Sequence, residues 1–166
     1  MGVGEGCPVP VERRTLSFAT LDDVVRDAEN LLAKGYDRAG NWALAQVCSH
    51  LAEWMRFPLD GFPRVPLVFR PVVWLMRATV GKTMRAKILA GGFSAGGRTM
   101  PQTVAAPGGD AAAAVAKLKE TAGRFAASAG PVHPSPLFGA MTRDEALQLQ
   151  LKHCEHHLSF LIPHNS

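Results

Sequence analysis

Two histidines four residues apart, His153 and His157, fall in the apolar stripe of the chain's last helical segment, and a third, His50, takes a comparable position on an earlier one. At about 100° per residue, the helical period, Ala146, Leu149, His153, His157, Phe160 and Leu161 share one side of the segment Thr142–Ile162. Glu145, Gln148, Lys152, Glu155, His156 and Ser159 take the other. His153 and His157 therefore point where leucines point. Residues four apart stack on one helix face, so these two imidazoles can converge on one ion. Neutral imidazole is the commonest protein ligand for zinc, nickel and similar divalent ions. His50, His153 and His157 together make a metal site the leading expectation. The competing reading is three core histidines hydrogen-bonded to carbonyls or carboxylates.

Three neutral imidazoles on a divalent ion leave positions open to water or substrate, the arrangement of a catalytic rather than a structural site. Such an ion acidifies a water or holds a thiol as thiolate. No general base stands out. Glu53 and Glu155 read as solvated helix charges, and Asp60, in the turn after the His50 helix, reads most simply as a turn former. His156 and His164 read as surface or terminal residues. Cys7, Cys48 and Cys154 are odd in number and show no CxxC spacing. A reducing cytoplasm is the default setting for such a chain, with Cys48 and Cys154 as small core-filling groups.

The elements that must position the histidines are helices. Thr20 to Asp23 and Thr142 to Glu145 both have the form of a capping box, opening a first helix to about Lys34 and a last one ended by Pro163. Gly35 stops the first, and a linker from Tyr36 to Gly40 leads to a second helix over Asn41–Phe57, with His50 at the flank of its apolar arc. A proline-initiated third region, roughly Val68–Leu89 and broken near Gly81, reads as buried. A membrane-surface helix is its minor alternative, because the apolar run Val65–Val80 is interrupted by Arg70, Pro71 and Arg77 and is too short to span a bilayer. The connection from Gly91 to Gly109 is long and rich in glycine and proline, as functional loops often are, and is a candidate lid. Asp110 caps a fourth helix through Phe125. No stretch alternates as a strand should. The expectation is all-α: four main helices in a bundle with long Gly/Pro-rich connections.

At 166 residues the chain fits one domain, a flexible leader over 1–14 followed by a helical domain over 15–162. A formal charge of +4 invites a polyanion partner, but the Lys and Arg residues are spread out with no basic tract interleaved with aromatics. The expected partner is a small molecule, with no nucleic acid and no membrane.

The run Gly40-Asn-Trp-Ala-Leu-Ala-Gln-Val-Cys-Ser-His50-Leu-Ala52 resembles the signature of the DinB/YfiT-like superfamily of metal-binding four-helix bundles, with a tryptophan (Trp42) eight residues before the histidine. His153-Cys-Glu-His-His157 resembles the HxxxH of that superfamily's last helix. More narrowly, Arg14–Phe18, the Gly-Asn-Trp start, Asp60–Pro63 and Pro136-Leu-Phe-Gly139 are similar to a bacterial branch known only as a domain of unknown function. Relatives there often carry histidine where this chain has Ser135; His133 stands two residues earlier and reads as an exposed loop residue. The resemblance implies a divalent ion, nickel or zinc, on His50, His153 and His157. It also implies a metal-dependent thiol transferase or hydrolase, the thiol being of low molecular weight, such as bacillithiol or mycothiol, and it leaves a homodimer open. The alternative is a non-catalytic bundle, with or without metal, in a stress-related or interaction role.

Overall fold

Thr20 and Thr142 open their helices as the sequence predicts. Each hydroxyl accepts the backbone N–H three residues on, and the carboxylates of Asp23 and Glu145 accept the N–H groups of Thr20 and Thr142 in return. The computed structural model describes residues 12–94 and 103–164. In chain order these form α1 (Leu21–Lys34), β1 (Tyr36–Arg38), α2 (Leu44–Asp60), α3 (Arg70–Met76), α4 (Lys82–Gly91), α5 (Ala111–Ala127), α6 (Arg143–Leu158) and β2 (Leu161–Pro163). A single turn of 3₁₀ helix, Leu67–Phe69, leads into α3, and a π turn over Arg77–Gly81 joins α3 to α4. The chain is mostly helical. No helix among the described residues is long and apolar enough to cross a membrane.

α2 begins at Leu44 rather than Asn41. Ala43 has no side-chain acceptor to cap with, and the first turn is satisfied from elsewhere: the Tyr36 hydroxyl accepts from Leu44 N at 2.9 Å and Gln46 Oε1 from Ala43 N at 3.2 Å. The helix also runs past Phe57 through Pro58. That proline cannot donate to the Trp54 carbonyl, and Gln150 of α6 donates to it instead, at 3.4 Å.

α1, α2, α5 and α6 enclose the main core, where Val24, Leu31, Leu51, Leu118, Phe125 and Leu158 are almost wholly buried. A smaller cluster of Ile88, Phe138 and Leu149 pins α4 to α6 and to the loop before it. Gly81 faces the Leu137 carbonyl so closely that a Cβ would collide with it, which fixes glycine at the π turn.

Three expectations need correction. A short sheet exists: β1 and β2 pair antiparallel, Tyr36 opposite Pro163 and Arg38 opposite Leu161. Strands of three residues are too short for alternation to register in the sequence, and their pairing is wholly long-range. For the same reason α6 ends at Leu158, before Pro163, and Phe160 and Leu161 lie beyond it. The third helical region is not buried. Val68, Phe69, Val72, Trp74 and Leu75 are each more than half exposed. Its apolar residues run all round the helix rather than along one stripe, and the four core helices already cover one another.

Arg14, assigned to the leader by sequence, grips Asp27 of α1 through two hydrogen bonds of 2.9 and 2.8 Å. Its N–H donates to the Ser159 carbonyl, which ties the start of the described chain to the end of α6.

Candidate metal centre

α2 and α6 pack side by side in the core, and this contact brings His50 to the two histidines of α6. His50 Nε2 lies 3.2 Å from His153 Nε2, and His157 Nε2 lies 3.1 Å from the same atom. One ligand nitrogen from each of the three lies within 4.8 Å of the others. His50 is fully buried, deeper than its place at the flank of the apolar arc implied, because α2 is covered by α5, α6 and the chain around Thr103. His153 is also buried, and His157 is the most accessible of the three.

The tautomers follow from the partners. A carbonyl only accepts, so the contact of 3.3 Å between His50 Nδ1 and the Thr103 carbonyl makes Nδ1 the protonated nitrogen. His50 Nε2 then presents its lone pair to the other rings. His153 Nε2 faces two nitrogens, and a single ring nitrogen has either one proton or one lone pair to offer in its plane. The cluster therefore cannot satisfy itself with hydrogen bonds. A cation at the common point satisfies all three lone pairs at once. Ligand nitrogens at 2.0–2.1 Å from a tetrahedral zinc lie about 3.3 Å apart, close to the two short separations here. A backbone carbonyl holding the far nitrogen of a ligand histidine is also the usual outer support of such sites.

Burial drives all three imidazoles below their ordinary pKa: His50 to about 4, His157 to about 3, and His153 well below the usual value, where neighbouring His157 and His50 add to the effect. At neutral pH the triad is uncharged, the form that binds metal.

Aromatic rings wall the cluster. Trp42 stacks on His157 with centroids 5.2 Å apart and planes 2° from parallel, and it meets His50 edge-on at 5.1 Å. Trp54 and Phe93 each lie 5.2 Å from His153. Such walls exclude water and lower the local dielectric.

Of the Gly91–Gly109 connection proposed as a lid, residues 95–102 lie outside the described residues. Both described flanks reach the centre, Phe93 through its ring and Thr103 through its carbonyl. Neither contact was legible from sequence, since both are long-range and the carbonyl of Thr103 leaves no trace in residue type.

The remaining candidates fall elsewhere. His133 is exposed, as expected, and lines a groove away from the triad. His164 is exposed and faces Asp37 at 3.4 Å. His156 is not a surface residue: it is half-buried, 4.9 Å from the His157 ring, and burial lowers its pKa too. Asp60 pairs with Arg124 at 2.8 Å, and Glu53 with Lys117 at 2.8 Å. Glu155 is no solvated charge either; it accepts from Phe18 N at 3.0 Å and pairs with Lys152. Cys48 and Cys154 are fully buried in the core. Burial pushes the Cys48 thiol up to about 12 and Cys154 likewise upward, so neither is a thiolate ligand. Cys7 lies outside the described residues.

A family model described as a protein of unknown function, DUF1569, matches residues 11–164. The chain belongs to the DUF1569 family. That match takes in every helix described above and all three histidines. No curated protein and no solved structure matches the chain.

Proposed function

We propose that this DUF1569 protein is a divalent-metal-dependent enzyme acting on a small molecule, built as a four-helix bundle of the DinB/YfiT-like type, with His50, His153 and His157 as the metal ligands. One observation carries the reading: three neutral imidazoles, His50 and His153 buried and His157 half-buried, turn their Nε2 atoms to one point where hydrogen bonding cannot satisfy them. The sequence resemblance of the Trp42–His50 segment and the HxxxH of α6 to that superfamily supports it. Nickel and zinc are the ions the three-nitrogen donor set and the resemblance favour.

A divalent ion held there supplies a positive centre that acidifies a water or a thiol brought to it. The residues of the chain do the rest. The Thr103 carbonyl fixes the His50 tautomer, Trp42 holds the His157 ring by stacking, and Trp54 and Phe93 keep bulk water from His153. Three neutral ligands leave the full charge of the ion uncompensated, which favours an anionic substrate atom. That points to transfer of a low-molecular-weight thiol, or to hydrolysis.

A second reading has one specific observation in its favour. Glu53, Asp60 and Glu155, the carboxylates weighed as general bases, are all committed to structural contacts. This fits a bundle that holds its ion without catalysis. Thermal-shift measurements on chain loaded with nickel or zinc separate the readings. A rise in midpoint with one cellular thiol out of a panel, lost in His157→Ala, supports transfer. No response to any thiol, with no turnover of ester or amide substrates, leaves the non-catalytic reading.

A further inference from the structure

Nine large hydrophobic side chains are exposed among the described residues, and eight of them lie between Leu67 and Val80. Leu67, Val68 and Trp74 are 75%, 74% and 67% exposed. Exposed apolar residues scattered singly need no explanation, but a continuous patch marks an interaction site. Here eight of them are gathered on one stretch, the 3₁₀ turn, α3 and the π turn, with Arg70 and Arg77 exposed among them.

The segment that carries this patch has charges of one sign. From Gly61 to Gly109 the sequence holds seven Lys or Arg and no Asp or Glu, whereas the rest of the chain has more acids than bases. Arg64, Arg70, Arg77, Lys82 and Lys87 are exposed, and none forms an ion pair among the described residues. Arg85 is the segment's one paired cation there, with Glu145 at 3.4 Å. A groove of about 440 Å³ runs along α3, with Arg70, Arg77 and His133 beside the rings of Phe62 and Trp74. No carboxylate lines it.

These features decide between occupants. A second copy docking through the same face would set the cations of each copy against those of the other, with no acid in the segment to answer them. An anionic lipid surface answers both parts of the patch. Apolar side chains enter the headgroup–acyl boundary while Lys and Arg meet phosphates, as in helices that lie in the membrane plane. An exposed Trp is suited to that boundary. No helix among the described residues is long and apolar enough to cross a membrane, so a helix docked there would lie in the membrane plane.

We propose that the face from Leu67 to Val80 docks on an anionic phospholipid surface, with its apolar side chains in the headgroup–acyl boundary and Arg64, Arg70, Arg77, Lys82 and Lys87 on headgroup phosphates. This departs from the sequence expectation of no membrane partner. It rests on observations independent of the histidine cluster.

The test is partition of the full chain onto vesicles of phosphatidylcholine containing one-third phosphatidylglycerol, against phosphatidylcholine alone. Binding is at least tenfold tighter to the anionic vesicles and weakens with salt. It shifts the tryptophan emission to the blue, and the shift disappears in Trp74→Phe. The double variant Val72→Glu with Leu75→Glu alters two exposed positions, keeps its helical circular dichroism and binds at least tenfold more weakly. Failure of the wild type to bind anionic vesicles overturns the proposal, as does equal binding by the double variant. A wild-type dimer that ignores vesicles and becomes monomeric in the double variant assigns the face to self-association instead.

Discussion

Removing metal and lowering the pH should unfold this protein far more readily than its carboxylates alone would allow. Burial holds His50 at a pKa of about 4, His157 at about 3 and His153 well below the ordinary value, whereas in the unfolded chain each titrates near 6.5. Well above pH 6.5 both states are neutral and these groups contribute nothing to the pH dependence. Below it the unfolded chain takes up protons that the folded chain refuses, so stability falls with pH until the folded values are reached. Between pH 7.5 and 5.5 each histidine costs about 1.4 kcal/mol, and three cost about 4 kcal/mol. That is a large part of a typical stability of about 5–15 kcal/mol. At about 2–4 °C per kcal/mol for a chain of this size, the melting midpoint of chelator-treated protein drops by roughly 8–16 °C. The assay is urea or thermal unfolding across that range, on wild type and on the triple variant His50→Gln, His153→Gln, His157→Gln. The variant should keep most of its stability at pH 5.5. Equal losses in the two proteins would refute the reasoning, and so would NMR titration of the wild type showing any of the three rings protonating near pH 6.5.

Other predictions concern the frame that holds the site. Gly81→Ala drives a methyl into the Leu137 carbonyl and should cost about 1–3 kcal/mol, read as a lower denaturation midpoint; an unchanged midpoint contradicts the close approach. In Cys7→Ser protein no thiol should react quickly with an aromatic disulfide reagent, because Cys48 and Cys154 are buried and held as neutral thiols; rapid labelling of the native variant contradicts this. Asp27→Ala leaves the half-buried Arg14 without its two short hydrogen bonds and should cost about 1–3 kcal/mol. Equilibrium unfolding of Arg14→Ala beside it tests whether the pair acts as a unit. Trp42→Ala removes the ring stacked on His157 and should weaken metal binding about 10–100-fold, the usual effect of losing an outer support, as measured by competition with a chromophoric chelator.

The helices were legible because their signals are local. Thr20, Thr142 and Asp110 cap where their types and spacing say they should. The inward direction of His153 and His157 follows from a period of 3.6. What the sequence hid is long-range. Tyr36 starts α2 with its hydroxyl, and β1 and β2 exist only because the turn after α1 meets the segment after α6. The His50 tautomer depends on a carbonyl more than fifty residues away. The apolar run from Leu67 to Val80 misled because hydrophobicity alone does not say what will cover a residue. His156 is the reverse case: on a polar helix edge by periodicity, it is half-buried against Phe93 and Phe160.

Metal content bears most directly on the whole account. Protein purified without a metal-binding tag, then dialysed against nickel or zinc and back into metal-free buffer, should retain one ion per chain by elemental analysis. His50→Ala, His153→Ala and His157→Ala should each lose it, while His133→Ala keeps it. Wild type that holds only a trace after dialysis, or a stoichiometric ion that survives in His153→Ala, would contradict the claim that these three imidazoles form a metal centre.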